Sequence, residues 1–81
     1  MTAAHDAEEL LRAGEPLLAY DTIEVALEAS PGDCRLRQLK GLALARSGAL
    51  GRANEELRAL YDEGCHDGET LGLLARTHKD L

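Results

Sequence analysis

Histidine, cysteine and arginine are the residues through which this chain could do chemistry, and their spacing is informative first of all by what it excludes. His5, His66 and His78 are scattered along the sequence, with no Ser, Cys or Asp arranged around them as a nucleophile–base pair. Cys34 and Cys65 lack C-x-x-C spacing, and the neighbours Cys65 and His66 point their side chains apart, so no metal site is expected. Both thiols read as inert packing or surface groups of a reducing compartment. The segment GALG, Gly48–Gly51, has no Lys-Ser/Thr after it and no strand before it, so it is not a phosphate loop. These patterns predict a non-enzymatic protein without a cofactor. The cations remain: Arg12, Arg35, Arg46, Arg76 and Lys79, in a chain whose formal net charge is −6. Arginines of that kind suit recognition of carboxylates through charge-assisted hydrogen bonds.

The acidic balance argues against nucleic acid, which calls for a basic footprint on the protein. Charges of both signs are mixed along the chain, as on the solvated side of helices. No apolar run approaches the ~20 residues needed to span a bilayer, so no membrane association is expected. The opening MTAAHDAEEL has neither the basic nor the apolar region of a secretory signal, and a cytoplasmic location is the default expectation. A length of 81 residues allows one domain with a modest core. Phe and Trp are absent and Tyr occurs twice, so that core must be built from Leu and Ala, a mixture that favours closely approaching helices.

Helical spacing of apolar residues places those cations on elements. The first helix is expected from about Thr2 to Ala13, with Thr2 as its cap and Ala3, Ala7, Leu10 and Leu11 as its inward stripe. Gly14 ends it, and Pro16 opens a second helix to about Ala29, carrying Ala19, Ile23, Ala26 and Leu27 inward and Asp21, Glu24 and Glu28 outward. Ser30-Pro31-Gly32 stops that helix, and Asp33 caps a third from Cys34 to Arg46 with Leu36, Leu39, Ala43 and Leu44 inward. Gly41 lies inside it, at a cost of about 1 kcal/mol relative to Ala that close contact with a neighbouring helix would offset. A fourth helix runs from about Leu50 to Glu63 with Ala53, Leu57 and Leu60 inward, and Gly64 ends it. A fifth is expected to about Asp80, capped by Asp67 or Thr70, with Leu71, Leu74, Ala75 and His78 on its stripe. Every connection is short, so successive helices are antiparallel neighbours.

The stretch GLALARSGALGRANEEL, Gly41 to Leu57, recurs elsewhere in the chain. Moved back by 34 residues, Gly41, Leu44, Gly48, Ala53 and Leu57 fall on Ala7, Leu10, Gly14, Ala19 and Ile23; moved forward, Gly41 falls on Ala75. A constant period of 34 with a turn inside each unit marks stacked helix–turn–helix repeats. These residues resemble the tetratricopeptide repeat: Ala7, Gly41 and Ala75 fill its small position, Ala19 to Ile23 and Ala53 to Leu57 its second-helix pair, and Pro31 its terminal proline. The large aromatic positions are aliphatic here, Asp6 and Lys40 stand where the motif has Leu, and Cys65 replaces a second proline. The resemblance implies an all-α, right-handed stack of antiparallel helix pairs in a single domain: repeats at about 1–33 and 34–67, then a half repeat at 68–81. RLRQLKGLALARSG, Arg35–Gly48, and DGETLGLLARTHKDL, Asp67–Leu81, also resemble the helical N-terminal part of bacterial repeat proteins with a TRAFs-binding domain, shared with apoptosis-signal-regulating kinases. That likeness implies a regulatory interaction module of bacterial signalling or defence systems. It also implies further helices after residue 81, as for an excised piece of a longer array.

In such a stack the first helices line a concave side, and residues one period apart form rows across it. The rows here are Met1, Arg35 and Glu69; Ala4, Gln38 and Gly72; Glu8, Leu42 and Arg76; Leu11, Ala45 and Lys79; and Arg12, Arg46 and Asp80. One reading is a mildly basic groove around Leu42 that receives an acidic segment of a protein partner through Arg35, Gln38, Leu42, Arg46, Arg76 and Lys79. The plainer reading pairs these charges within their own helices, Glu8 with Arg12 and Arg76 with Asp80, on a solvated face. A third places the interface at the end of the array. Leu73, Leu74 and Leu81 have no following helix to cover them, which suits self-association or docking onto another domain. His78 lies one period after Leu44 and reads as a packing residue.

Overall fold

The computed structural model describes residues 3–64, which form four helices: α1 (Ala3–Arg12), α2 (Pro16–Ala29), α3 (Cys34–Arg46) and α4 (Leu50–Asp62). Each boundary has a local cause. Gly14 and Gly48, one period apart, have φ of 83° and 95°, a left-handed backbone that only glycine adopts without a Cβ penalty. Around Gly14, the N–H of Glu15 donates to the Leu10 carbonyl at 2.8 Å and the N–H of Gly14 to Leu11 at 3.1 Å. Around Gly48 the same two bonds recur from Ala49 to Leu44 at 2.9 Å and from Gly48 to Ala45 at 3.1 Å. The repeat is therefore a repeat of hydrogen bonding as well as of residue type. Pro16 sits in the first turn of α2, and the Asp33 carboxylate accepts the N–H of Leu36 at 3.0 Å to start α3.

α2 and α3 have the bounds expected of them, while α1 and α4 are one residue shorter at their C-terminal ends. Thr2, the anticipated cap of the first helix, lies outside the described residues. So do the fifth helix and the half repeat at 68–81, and the described structure therefore holds four helices rather than five. Among the described residues there is no strand.

α3 packs against all three other helices, whereas α1 makes no contact with α4. A closed up-and-down bundle would bring its first and last helices together; here the two hairpins are stacked, with α3 between the first hairpin and its own partner α4. Ala7 and Leu11 of α1, Ala19 and Ile23 of α2, and Leu36, Leu39 and Ala43 of α3 form one continuous buried cluster. Leu44, Ala53, Leu57 and Leu60 are buried as well, so the core is aliphatic throughout.

Gly41 shows why a small residue recurs at this register. A Cβ placed there would stand 2.6 Å from both Cγ and Cδ2 of Leu57, a side chain that is itself fully buried. The close approach expected of Gly41 is thus present, and its partner is the second-helix position of the same repeat. Gly41→Ala gains about 1 kcal/mol of helix propensity, but overpacking a filled core costs about 1–3 kcal/mol. The expected outcome is a lower midpoint in urea or thermal unfolding. Combined with Leu57→Ala it should cost less than the sum of the two single changes. A Gly41→Ala chain at least as stable as the parent would contradict the packing described.

Candidate functional site

α1 and α3 are the first helices of successive hairpins, and the concavity between them is an open cavity of about 370 Å³. Glu8, Leu11 and Arg12 line it from α1, and Arg35, Leu39, Leu42 and Arg46 from α3. The apolar floor arises because Leu11 and Leu39, both buried, turn one edge of their side chains to the cavity. Three guanidinium groups stand around that floor against one carboxylate. In a chain of net charge −6, this is a local reversal of sign.

Each arginine is held in a different way. Arg35 is clasped by Glu8 across the two helices, and it also donates to the Gln38 Oε1 at 3.3 Å. The Arg35 guanidinium, through its hydrogen bond and then its charge, holds the Glu8 carboxyl below the usual carboxylate range. Arg46 reaches back across the groove to donate to the Leu11 carbonyl at 3.3 Å, a long bond that leaves its remaining donors for other uses. Arg12 is on the rim, 2.9 Å from Glu9 of its own helix.

The structure therefore gathers Arg35, Leu42 and Arg46 at one cavity and removes Gln38 from it. Gln38 is 3% exposed, and it contacts Arg35 from beneath rather than facing solvent. Its place in the row with Ala4 is inward because Ala4 itself packs on the core. The pairing of Glu8 with Arg12 within α1 does not occur either: Glu8 turns to Arg35 on the neighbouring helix, and Glu9 takes Arg12. Arg76, Lys79, Leu73, Leu74 and Leu81 lie outside the described residues. Of the histidines, His5 is exposed on α1 with its Nε2 3.9 Å from Glu9, and His66 and His78 are not described. Among the described residues no group of three His, Cys, Asp or Glu side chains converges as a metal site, and no helix is long and apolar enough to cross a membrane.

Cys34 departs from the expectation of an inert thiol. It is disulfide-bonded at the start of α3, and the other cysteine of the sequence, Cys65, lies outside the described residues. The sequence has no short-range motif of the C-x-x-C kind that would have signalled such a bond. A clasp joins the first turn of α3 to the end of α4, where Arg37 donates to both oxygens of Glu63 at 2.8 Å each. That fork holds Glu63 below the usual carboxylate range and raises Arg37 further.

On the opposite side of α3, Lys40 takes the position where the repeat motif has Leu. Its ammonium lies 3.0 Å from Glu24 of α2 and 3.6 Å from Glu56 of α4, and 5.9 Å from the centre of the Tyr20 ring. Arg52 of α4 completes the group by donating to the Tyr20 hydroxyl at 3.2 Å. Burial lowers the Lys40 pKa, but the two carboxylates together with Tyr20 outweigh it, and the net shift is upward. The Lys40 ammonium in turn holds Glu24 below the usual range against its own burial. A charge at a position the repeat fills with Leu was the one sequence signal of this bridge.

The geometry is accompanied by one likeness. The family model described as Tetratricopeptide Repeats-Sensor matches residues 6–81. Neither a curated protein nor a solved structure matches the chain.

The depressed carboxylates fix a pH dependence. A carboxyl whose folded pKa is lowered stabilises the fold above its ordinary value of 4.5, and that contribution disappears as pH falls through the folded value. Glu24→Gln and Glu63→Gln should each flatten the loss of stability below pH 4.5, measured as unfolding midpoints against pH. A double-mutant cycle of Glu24→Gln with Lys40→Met should return a coupling of about 0.5–1 kcal/mol, reduced by the solvent exposure of Glu24. A coupling of zero would mean that the bridge holds nothing together.

Proposed function

We propose, from the premise that the chain belongs to the Tetratricopeptide Repeats-Sensor family, that it is a non-catalytic protein-interaction module whose α1–α3 groove receives an acidic segment of a protein partner. The observation that carries this reading is the local sign reversal: Arg12, Arg35 and Arg46 around the leucine floor of a cavity in an acidic chain. Arg12 and Arg46 offer donors to carboxylates at the rim, while Leu11, Leu39 and Leu42 accept an apolar side chain between them. Arg35 is positioned by Gln38 and shared with Glu8, so a carboxylate arriving there competes with an internal one. Arg76 and Lys79 belong to the same rows by period and extend the proposed surface.

Membership of a family of repeat sensors supports a regulatory role for that binding.

The test is a titration by fluorescence anisotropy of a labelled peptide of alternating Glu and Leu, beside a Lys-for-Glu counterpart. The parent chain should prefer the acidic peptide, and Arg12→Glu with Arg46→Glu should weaken it by about tenfold or more while circular dichroism stays unchanged. Added salt should weaken binding by the parent more steeply than by the variant. Equal affinity of the parent for both peptides would remove the groove from consideration.

A further inference from the structure

The outer face of α2 carries a second surface that the groove does not use. Leu17, Leu18 and Val25 are 69%, 51% and 67% exposed, the large apolar side chains that face solvent most openly among the described residues. Helical spacing sorts the exposed positions of α2 into two adjoining rows: Leu18 and Val25 two turns apart, and beside them Leu17, Asp21 and Glu28. One period later, the corresponding positions of α4 are Gly51, Arg52 and Ala59 for the apolar residues, with Glu55 and Asp62 for the acids. The second hairpin thus keeps the carboxylates and discards the large apolar groups. Repeat architecture alone does not call for Leu17, Leu18 and Val25, and the described hairpins do not cover them.

The electrostatics of this face say what fits it. From residue 13 to residue 34 the sequence contains no Lys, Arg or His. Glu15, Asp21 and Glu28 are exposed and have no ion pair among the described residues, unlike Glu24, whose charge is met by Lys40. We infer that this face docks an amphipathic helix of a protein partner whose apolar stripe is flanked by lysines or arginines. Such a helix lays its leucines along Leu18 and Val25 and its cations along Asp21 and Glu28. A second copy of the chain is the wrong occupant for a two-fold contact, since it would bring acidic row against acidic row. An anionic membrane surface would be repelled for the same reason.

The test uses a synthetic helical peptide of about 18 residues, long enough for five turns, with a leucine stripe flanked by lysines, and a twin with glutamates instead. The parent chain should bind the lysine peptide at least about tenfold more tightly than its twin. Leu18→Ser with Val25→Ser should lose about tenfold or more, and Asp21→Lys with Glu28→Lys should reverse the preference between peptides. Arg12→Glu with Arg46→Glu, in the groove, should leave this binding unchanged, which separates the two surfaces. These α2 positions are exposed, and helical circular dichroism confirms that each variant is folded. Equal binding of the two peptides, or none, overturns the inference. It is overturned equally by sedimentation of the parent as a dimer that Leu18→Ser with Val25→Ser dissolves, since the face would then belong to a second copy.

Discussion

The packing of Gly41 beneath Leu57 is the constraint on which the rest of the molecule depends. A core with no Phe or Trp gains little from any one side chain, so its stability requires helices to approach closely along their length. α3 is the helix that must do this on every side, because it touches α1, α2 and α4 while those three are not all in contact with one another. A hydrogen atom in place of a methyl group at Gly41 lets α4 lie down on α3, and that arrangement fixes how α3 presents its other faces. The groove toward α1 and the Lys40 bridge toward α2 and α4 are two of those faces.

The recurrence at 34 residues made the architecture legible because it is written in residues that act locally or through simple volume. Gly14 and Gly48 stop helices by backbone conformation, Asp33 starts one with a single hydrogen bond, and Ala7 and Gly41 are small where a neighbour is close. Such features need no knowledge of the far side of the molecule. The grouping of Arg35, Leu42 and Arg46 followed from the same register.

What the sequence did not disclose are the pairings between helices. Glu8 has Arg12 four residues away yet turns to Arg35, Arg37 finds Glu63, and Lys40 finds both Glu24 and Glu56. Gln38 looks like a surface residue by type and is buried, with its carbonyl oxygen accepting a hydrogen bond from Arg35. In each case the choice of partner depends on lateral offset between two helices, a distance that periodicity along one helix leaves undetermined. The inward stripe read for α2 omits Leu17, Leu18 and Val25, in agreement with their exposure, but spacing along one helix does not say whether another helix covers that outer face.

Arg35 and Arg46 sit on one helix with three full turns between them, and their shared orientation toward the cavity follows from that whole number. At the rise of an α-helix their backbones are about 16 Å apart, roughly the reach of five residues of extended chain. Within the proposed reading the two guanidinium groups act as a ruler: a lone carboxylate would meet one end, and a segment meeting both would need acids spaced about 16 Å apart, whatever its backbone conformation.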